Sequence, residues 1–240
     1  MLRRLLAPVL FLVSLAACAQ PAAPTAPAAK PAARPATAMP NFIPKLGHDY
    51  FVLATPQPTY GQGKIELAEV FSYACIHCAE FQPKVNAWRK TLGADVRFEY
   101  VPAAFGGMWD NFARAYFAAE AMGIQKKTHD NVFKAVFVEQ ASGKGAPEEI
   151  AKMYTKWGVD EAKFLAAMNS FGVTGKLSRA RQFAMRTGVE STPTMIINGK
   201  YRVVVTPQRG FDGMIATSNW LVAKERAAAP KPAAAAAKKG

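Results

Sequence analysis

The middle of the chain switches between two hydrophobic rhythms, and the order of the switches predicts its architecture. "KIELAEVFSY" (Lys64–Tyr73) has the β-branched and aromatic content of a buried strand. A helix-like pattern follows at once, from about Ile76 to Leu92, and "DVRFEYVP" (Asp95–Pro102) then alternates as a strand does. Strand, helix, strand in this order predicts a βαβ unit with parallel strands.

From Gly106 to about Gly188 the rhythm is helical almost throughout. "MWDNFARAYFAAEAMG" sets Phe112, Tyr116, Phe117 and Ala119 close to one face and stops at Gly123. "HDNVFKAVFVEQ", "APEEIAKMYTKWG", "DEAKFLAAMNSF" and "GKLSRARQFAMRTG" read as further helices. Pro147 suits a first helical turn and Asp160 an N-cap. "PTMIINGKYRVVV" returns to strand character with Asn198-Gly199 as a hairpin turn, and a closing helix runs from about Phe211 to Arg226. No internal repeat is visible. The order describes an α/β domain interrupted by a helical insertion.

Composition changes the picture only at the ends. Half of the 240 residues are hydrophobic, enough for one core or one core with a satellite. Residues 19–40 and 227–240, nearly all Ala, Pro, Lys and Arg, have too little apolar bulk to offset ordering entropy and read as tails. About half of the net charge of +13 lies in end segments without acids, on Arg3 and Arg4 at the start and on Lys30, Arg34, Lys231, Lys238 and Lys239 in the tails. Basic residues elsewhere alternate with acids, so a nucleic-acid partner is not expected.

"MLRRLLAPVLFLVSLAACAQ" has a charged start and an apolar stretch ending in small residues, the form of an export signal over residues 1–18. "LAAC" resembles a lipobox, which would make Cys18 a lipidated first mature residue. "ACA" at Ala17–Ala19 equally fits ordinary signal cleavage, which would discard Cys18. The Ala/Pro stretch that follows suits a tether and favours the lipoprotein. Both routes place the domain outside the cytoplasm, in an oxidising compartment.

Cys75 and Cys78 are then the only internal cysteine pair. A disulfide across so short a loop constrains the unfolded chain little, so the pair is there for chemistry. "CIHC" lies where a strand gives way to a helix, the end at which α/β sheets present reactive groups. Cys75 would face the unpaired N–H groups of the helix start, and such motifs lower a thiol pKa from about 8.5 into the range ~3.5–7.5. Cys78, one turn in, would be more buried and act as the resolving thiol. His77 is expected to donate a hydrogen bond or a positive charge to the sulfur. Glu69, a carboxylate on an apolar strand, would carry a proton for Cys78 if buried, or be merely solvated at a sheet edge. A structural zinc site needs four ligands, and His48 and His129, both expected at the surface, are the only other histidines. Haem attachment needs a histidine where Ala79 stands. No cofactor is expected. Phe105, Met108 and Trp109 suit either a groove for unfolded polypeptide or helical packing.

"EVFSYACIHCAEF", the "FGG" of Phe105–Gly107, "NSF" at Asn169–Phe171 and "GVESTPTMIINGKY" at Gly188–Tyr201 together resemble the DsbA family of periplasmic thiol:disulfide oxidoreductases, over roughly Asn41 to Arg226. The resemblance implies a thioredoxin fold interrupted by an inserted helical domain, with parts at 41–103 and 176–226, the insertion at 104–175, the tether at 19–40 and a tail at 227–240. It implies that Pro193, preceded by Thr192, forms a cis peptide opposite the cysteines. Ile76 stands where the family has proline, Thr192 where valine is frequent, Gln82 where an acid is common, and Glu99 where a basic residue often accompanies the buried acid. The implied activity is donation of the Cys75–Cys78 disulfide to newly exported proteins with cysteines, with reoxidation by a DsbB-like quinone-linked membrane partner. The alternatives are a reductase or isomerase kept reduced by a DsbD-like donor, and an envelope-anchored scaffold lipoprotein. No dimerisation segment is visible, and a monomer is expected.

Overall fold

The computed structural model describes residues 42–229. Cys18, the export signal and the 19–40 tether lie outside them, as does most of the C-terminal tail. Five strands and seven helices follow one another in the described chain. They are β1 (Tyr50–Val52), β2 (Ile65–Phe71), α1 (Ile76–Arg89), β3 (Val96–Pro102), α2 (Met108–Ala121), α3 (Gln125–Phe137), α4 (Pro147–Tyr154), α5 (Glu161–Met168), α6 (Phe171–Arg186), β4 (Thr194–Ile197), β5 (Tyr201–Val204) and α7 (Gly210–Ala228). A 3-10 turn at Thr155–Trp157 joins α4 to α5.

The sheet runs β1-β5-β4-β2-β3. β2 and β3 are parallel, from Ile65 opposite Val96 to Phe71 opposite Pro102, as the strand-helix-strand rhythm predicts. β4 returns antiparallel on the other flank of β2, so the insertion leaves after β3 and the chain re-enters the sheet at its centre. β2 is buried from Glu66 to Phe71, on both faces, which explains why its apolar residues do not alternate with polar ones and leaves Glu66 and Glu69 as buried carboxyls.

Aromatic packing fixes α1 over the sheet. Phe81 stacks on Phe211 of α7 with centroids 4.8 Å apart, and buried Trp88 donates Nε1 to Asn219 Oδ1 at 2.8 Å. Phe71 sits among Tyr73, Tyr100, Tyr116, His129 and Phe133 at centroid distances of 5.2 to 6.1 Å. Each such ring removed from water contributes about 1.5–3 kcal/mol, which ties the strand before the cysteines to the helical insertion.

Local signals behave as their chemistry dictates. Asp160 caps α5 by accepting the Lys163 N–H at 2.8 Å, and Asn198 and Gly199 both take positive φ in the β4–β5 turn. A Cβ on Gly199 would collide with the Gln57 carbonyl, so the turn needs glycine for space as well as for φ.

Several expectations are corrected. β1 has no sequence signal, because three residues are too few to show a period. α3 starts at Gln125, ahead of the expected His129. α6 starts at Phe171, where Ser170 caps the Val173 N–H at 3.3 Å, and runs across residue 175, the expected end of the insertion. Gly172 and Gly175, poor helix formers, mask that first turn in the sequence. α7 continues to Ala228, into the segment expected as tail. His129, expected at the surface, is buried: its Nδ1 pairs with the Tyr73 hydroxyl at 2.7 Å, and burial pushes its pKa down to about 3.

Candidate active site

β2 ends at Phe71, and Ser72 to Ala74 carry the chain to Cys75, the N-cap of α1. Cys75 has extended backbone angles (φ −104°, ψ 114°), so its sulfur turns back over the first helical turn and accepts the Cys78 N–H at 3.2 Å. The sulfur thereby occupies the place of a capping oxygen, at the positive end of the helix. The Thr192–Pro193 peptide is cis, and the Thr192 carbonyl oxygen lies 3.4 Å from Cys75 Sγ, so the thiol form donates to it. Thr192 Oγ1 is buried with no partner in this state, which leaves its hydroxyl as the donor available to a thiolate.

These contacts set the ionisation of the pair. Hydrogen bonds from the Cys78 thiol, the Thr192 hydroxyl and the Cys78 and His77 backbone N–H groups lower the Cys75 pKa to about 6, against an opposing push from burial. Cys78 is fully buried, and burial, followed by its interaction with Cys75, drives its pKa far up. One sulfur is therefore an anion at neutral pH and its neighbour a thiol.

Glu69 is buried on β2, and burial raises its pKa to about 8, with Arg89 opposing and Cys75 adding to the rise. Its Oε2 has no hydrogen-bond partner. Of the two readings open for this residue, solvated edge or buried carboxyl, the geometry selects the second.

The His77 ring is exposed and its Nδ1 pairs with Glu80 Oε2 at 3.0 Å, so of the two expected contributions the ring offers charge and not a hydrogen bond, and it is the backbone N–H of His77 that reaches the sulfur. The contact with Glu80 raises the His77 pKa. Gln82 is buried in the α1–β3–α3 junction, donating Nε2 to the Tyr100 hydroxyl at 2.8 Å and to Asp130 Oδ1 at 2.9 Å. Glu99 faces Arg97, whose Nε lies 2.9 Å from its Oε1.

Phe105 and Met108 are exposed, and the Phe105 ring lies 5.4 Å from that of Trp109. Phe105 also lines a hollow of about 420 Å³ with Arg181, Met185 and Val189. A second, mostly apolar hollow of about 520 Å³ lies between α1 and α3, lined by Ile76, Ala79, Pro83, Phe133, Phe137 and Val138. Sequence reasoning missed Arg89 and Tyr100 beside Glu69. A signal for Arg89 exists: Cys78, Gln82, Val85 and Arg89 follow i, i+4, i+7, i+11 along one side of α1. Tyr100 is the cross-strand neighbour of Glu69, a relation that needs the register.

Residues 66–214 match the family model described as a DSBA-like thioredoxin domain. The thiol:disulfide interchange protein DsbA of Pseudomonas aeruginosa is 39% identical over 185 residues, which cover 77% of this chain and 87% of that protein. The protein of the same name from Azotobacter vinelandii is 36% identical over 184 residues, covering 77% and 86%. The crystal structure of the oxidoreductase DsbA from Xylella fastidiosa superposes with a TM-score of 0.73 at 37% identity, covering 78% of this chain and 100% of that one.

Proposed function

We propose, from the premise that this chain belongs to the DsbA-like thioredoxin family and is a thiol:disulfide oxidoreductase, that it runs in the oxidising direction, in the periplasm. The observation that carries this is the Cys75 sulfur at the N-cap of α1, held by the Cys78 N–H at 3.2 Å. Whatever stabilises the Cys75 anion stabilises the reduced protein, and so makes its disulfide the better oxidant.

In the reaction a substrate thiolate attacks Cys75 Sγ, and the Cys75–Cys78 bond breaks with its electron pair passing to Cys78. Cys78, whose buried anion is costly, takes the proton of the Glu69 carboxyl. The substrate's second thiolate then attacks the substrate sulfur of the mixed disulfide, and Cys75 leaves as a thiolate. The substrate has lost two electrons and gained a disulfide. A DsbB-like quinone-linked membrane protein removes the two electrons from the dithiol, with Glu69 receiving the Cys78 proton back. Thr192 and Pro193 present backbone to the substrate beside the sulfur, and His77 adds positive charge at the rim. The substrates are newly exported proteins with cysteines, met by a monomer, and Cys18 is the anchor if it is retained.

Equilibrating the dithiol against glutathione buffers tests the direction. A disulfide donor stays reduced in buffers that oxidise ordinary protein dithiols. A pair that is mostly reduced in cells at steady state would instead assign it to a reductase or isomerase served by a DsbD-like donor. Palmitate labelling of the mature protein decides the fate of Cys18.

A further inference from the structure

Arg89 closes α1 at the end of the stripe that begins with Cys78. Its guanidinium lies across two rings of β3, 4.8 Å from the Phe98 centroid and 5.0 Å from that of Tyr100, and Nη1 donates to the Tyr100 hydroxyl at 3.3 Å. Tyr100 is the residue opposite Glu69 in the parallel register, so this cation is held one side chain from the buried carboxyl. Behind it opens a cavity of about 390 Å³ lined by Asn86, Arg89, Tyr100, His129 and Asp130 among others.

A carboxyl that lends its proton to Cys78 must survive briefly as an anion, and later receive the proton back. In a wholly apolar pocket that anion would be too costly to form. We propose that Arg89 is the positioning residue for the Glu69 proton, holding positive charge against Tyr100 so that the Glu69 carboxylate left after proton transfer to Cys78 is tolerated. This rests on the reading of Glu69 as the proton donor to Cys78.

Among the described residues, the other groups around Glu69 do not supply that charge. α1 contributes Cys75 and Cys78, whose charged forms are anionic, and β3 contributes Tyr100. β4 places uncharged Met195 opposite Glu69. On α3, His129 is buried and neutral, and Asp130 is tied to Gln82 and Asn86. On α7, buried Glu225 is tied to Asn198 and Lys200 at the far end of β4. Arg89 is the group that opposes burial at Glu69.

The test is a carboxyl-carbon NMR titration of the reduced, glutamate-labelled protein, with the Glu69 signal assigned by its loss in Glu69→Gln. Arg89 is exposed, so Arg89→Gln and Arg89→Lys leave the core intact. Arg89→Gln is expected to move the Glu69 midpoint up by about one pH unit and Arg89→Lys to restore most of it. The pH profile for oxidation of a small dithiol by the disulfide form should move with it, while the Cys75 absorbance titration stays in place. An unmoved Glu69 midpoint in Arg89→Gln overturns the inference while leaving the Glu69 role standing. A wild-type Glu69 that titrates like a free carboxyl overturns both.

Discussion

The Cys78 backbone amide donates to the Cys75 sulfur across 3.2 Å, so the residue that resolves the mixed disulfide also holds the charge of the one that is attacked. The two thiols are driven apart in acidity: the hydrogen bond from the Cys78 thiol, with the amide adding to it, takes Cys75 down to about 6, and burial drives Cys78 far upward.

Absorbance of the thiolate at 240 nm should therefore report a midpoint near 6 for Cys75 in the reduced protein. A midpoint at the value of free cysteine would remove the basis of the oxidising direction. The sign for stability follows from the lowered pKa: the contribution is complete above the unfolded value of 9.0 and is lost as pH falls through about 6. Denaturant midpoints of the reduced form, relative to the oxidised form, should rise across that window.

Thr192→Val removes a buried hydroxyl and leaves the carbonyl contact at 3.4 Å unchanged in kind. The Cys75 midpoint should rise by about one pH unit, as expected for losing one hydrogen bond to a charged group, and the disulfide should become a weaker oxidant. Equal glutathione equilibria for the two proteins would show that the hydroxyl does not act on the sulfur.

Glu69→Gln tests the buried carboxyl through folding. Because the Glu69 pKa is raised from 4.5 to about 8, its contribution is fully present below 4.5 and is lost as pH climbs through 8. The variant escapes that loss. Reduced wild type and variant should unfold alike near pH 4, and the variant should be the more stable by on the order of a few kcal/mol near pH 8. Parallel curves at both pH values would mean that Glu69 ionises as freely folded as unfolded.

His77→Ala should raise the Cys75 midpoint by less than Thr192→Val does. The imidazole is exposed and engaged with Glu80, whereas the His77 backbone N–H that serves the sulfur survives the substitution. A larger change than that of Thr192→Val, read by the same absorbance titration, would restore the ring as the dominant tuner.

The site was half legible in the sequence, and the boundary is a physical one. Cys75 and Cys78 announce themselves by spacing and by the change of rhythm around them, because helix and strand periods are local properties. Glu69 is visible as a charge among apolar neighbours, but its burial is decided by β3, β4 and α1 together. The partner of the His77 ring is not legible, because Glu80, one turn on, competes with the sulfur for it and sequence does not say which wins. His129 looked like any polar residue on a helix, and only the Tyr73 hydroxyl and the surrounding rings make its burial tolerable. The start of α6 is hidden in the sequence, because Gly172 and Gly175 mask a first turn that Ser170 caps.

Cys75 and Thr192 stand 117 residues apart in the chain, with the whole helical insertion between them. A polypeptide that emerges amino end first displays its reactive sulfur while the segment that must cover it is still unmade. Until β4 pairs with β2, that sulfur has its helix and its Cys78 contacts but lacks the Thr192 lid, and it stays open to any passing partner. Completion of the fold thus adds the last of the contacts that tune the sulfur.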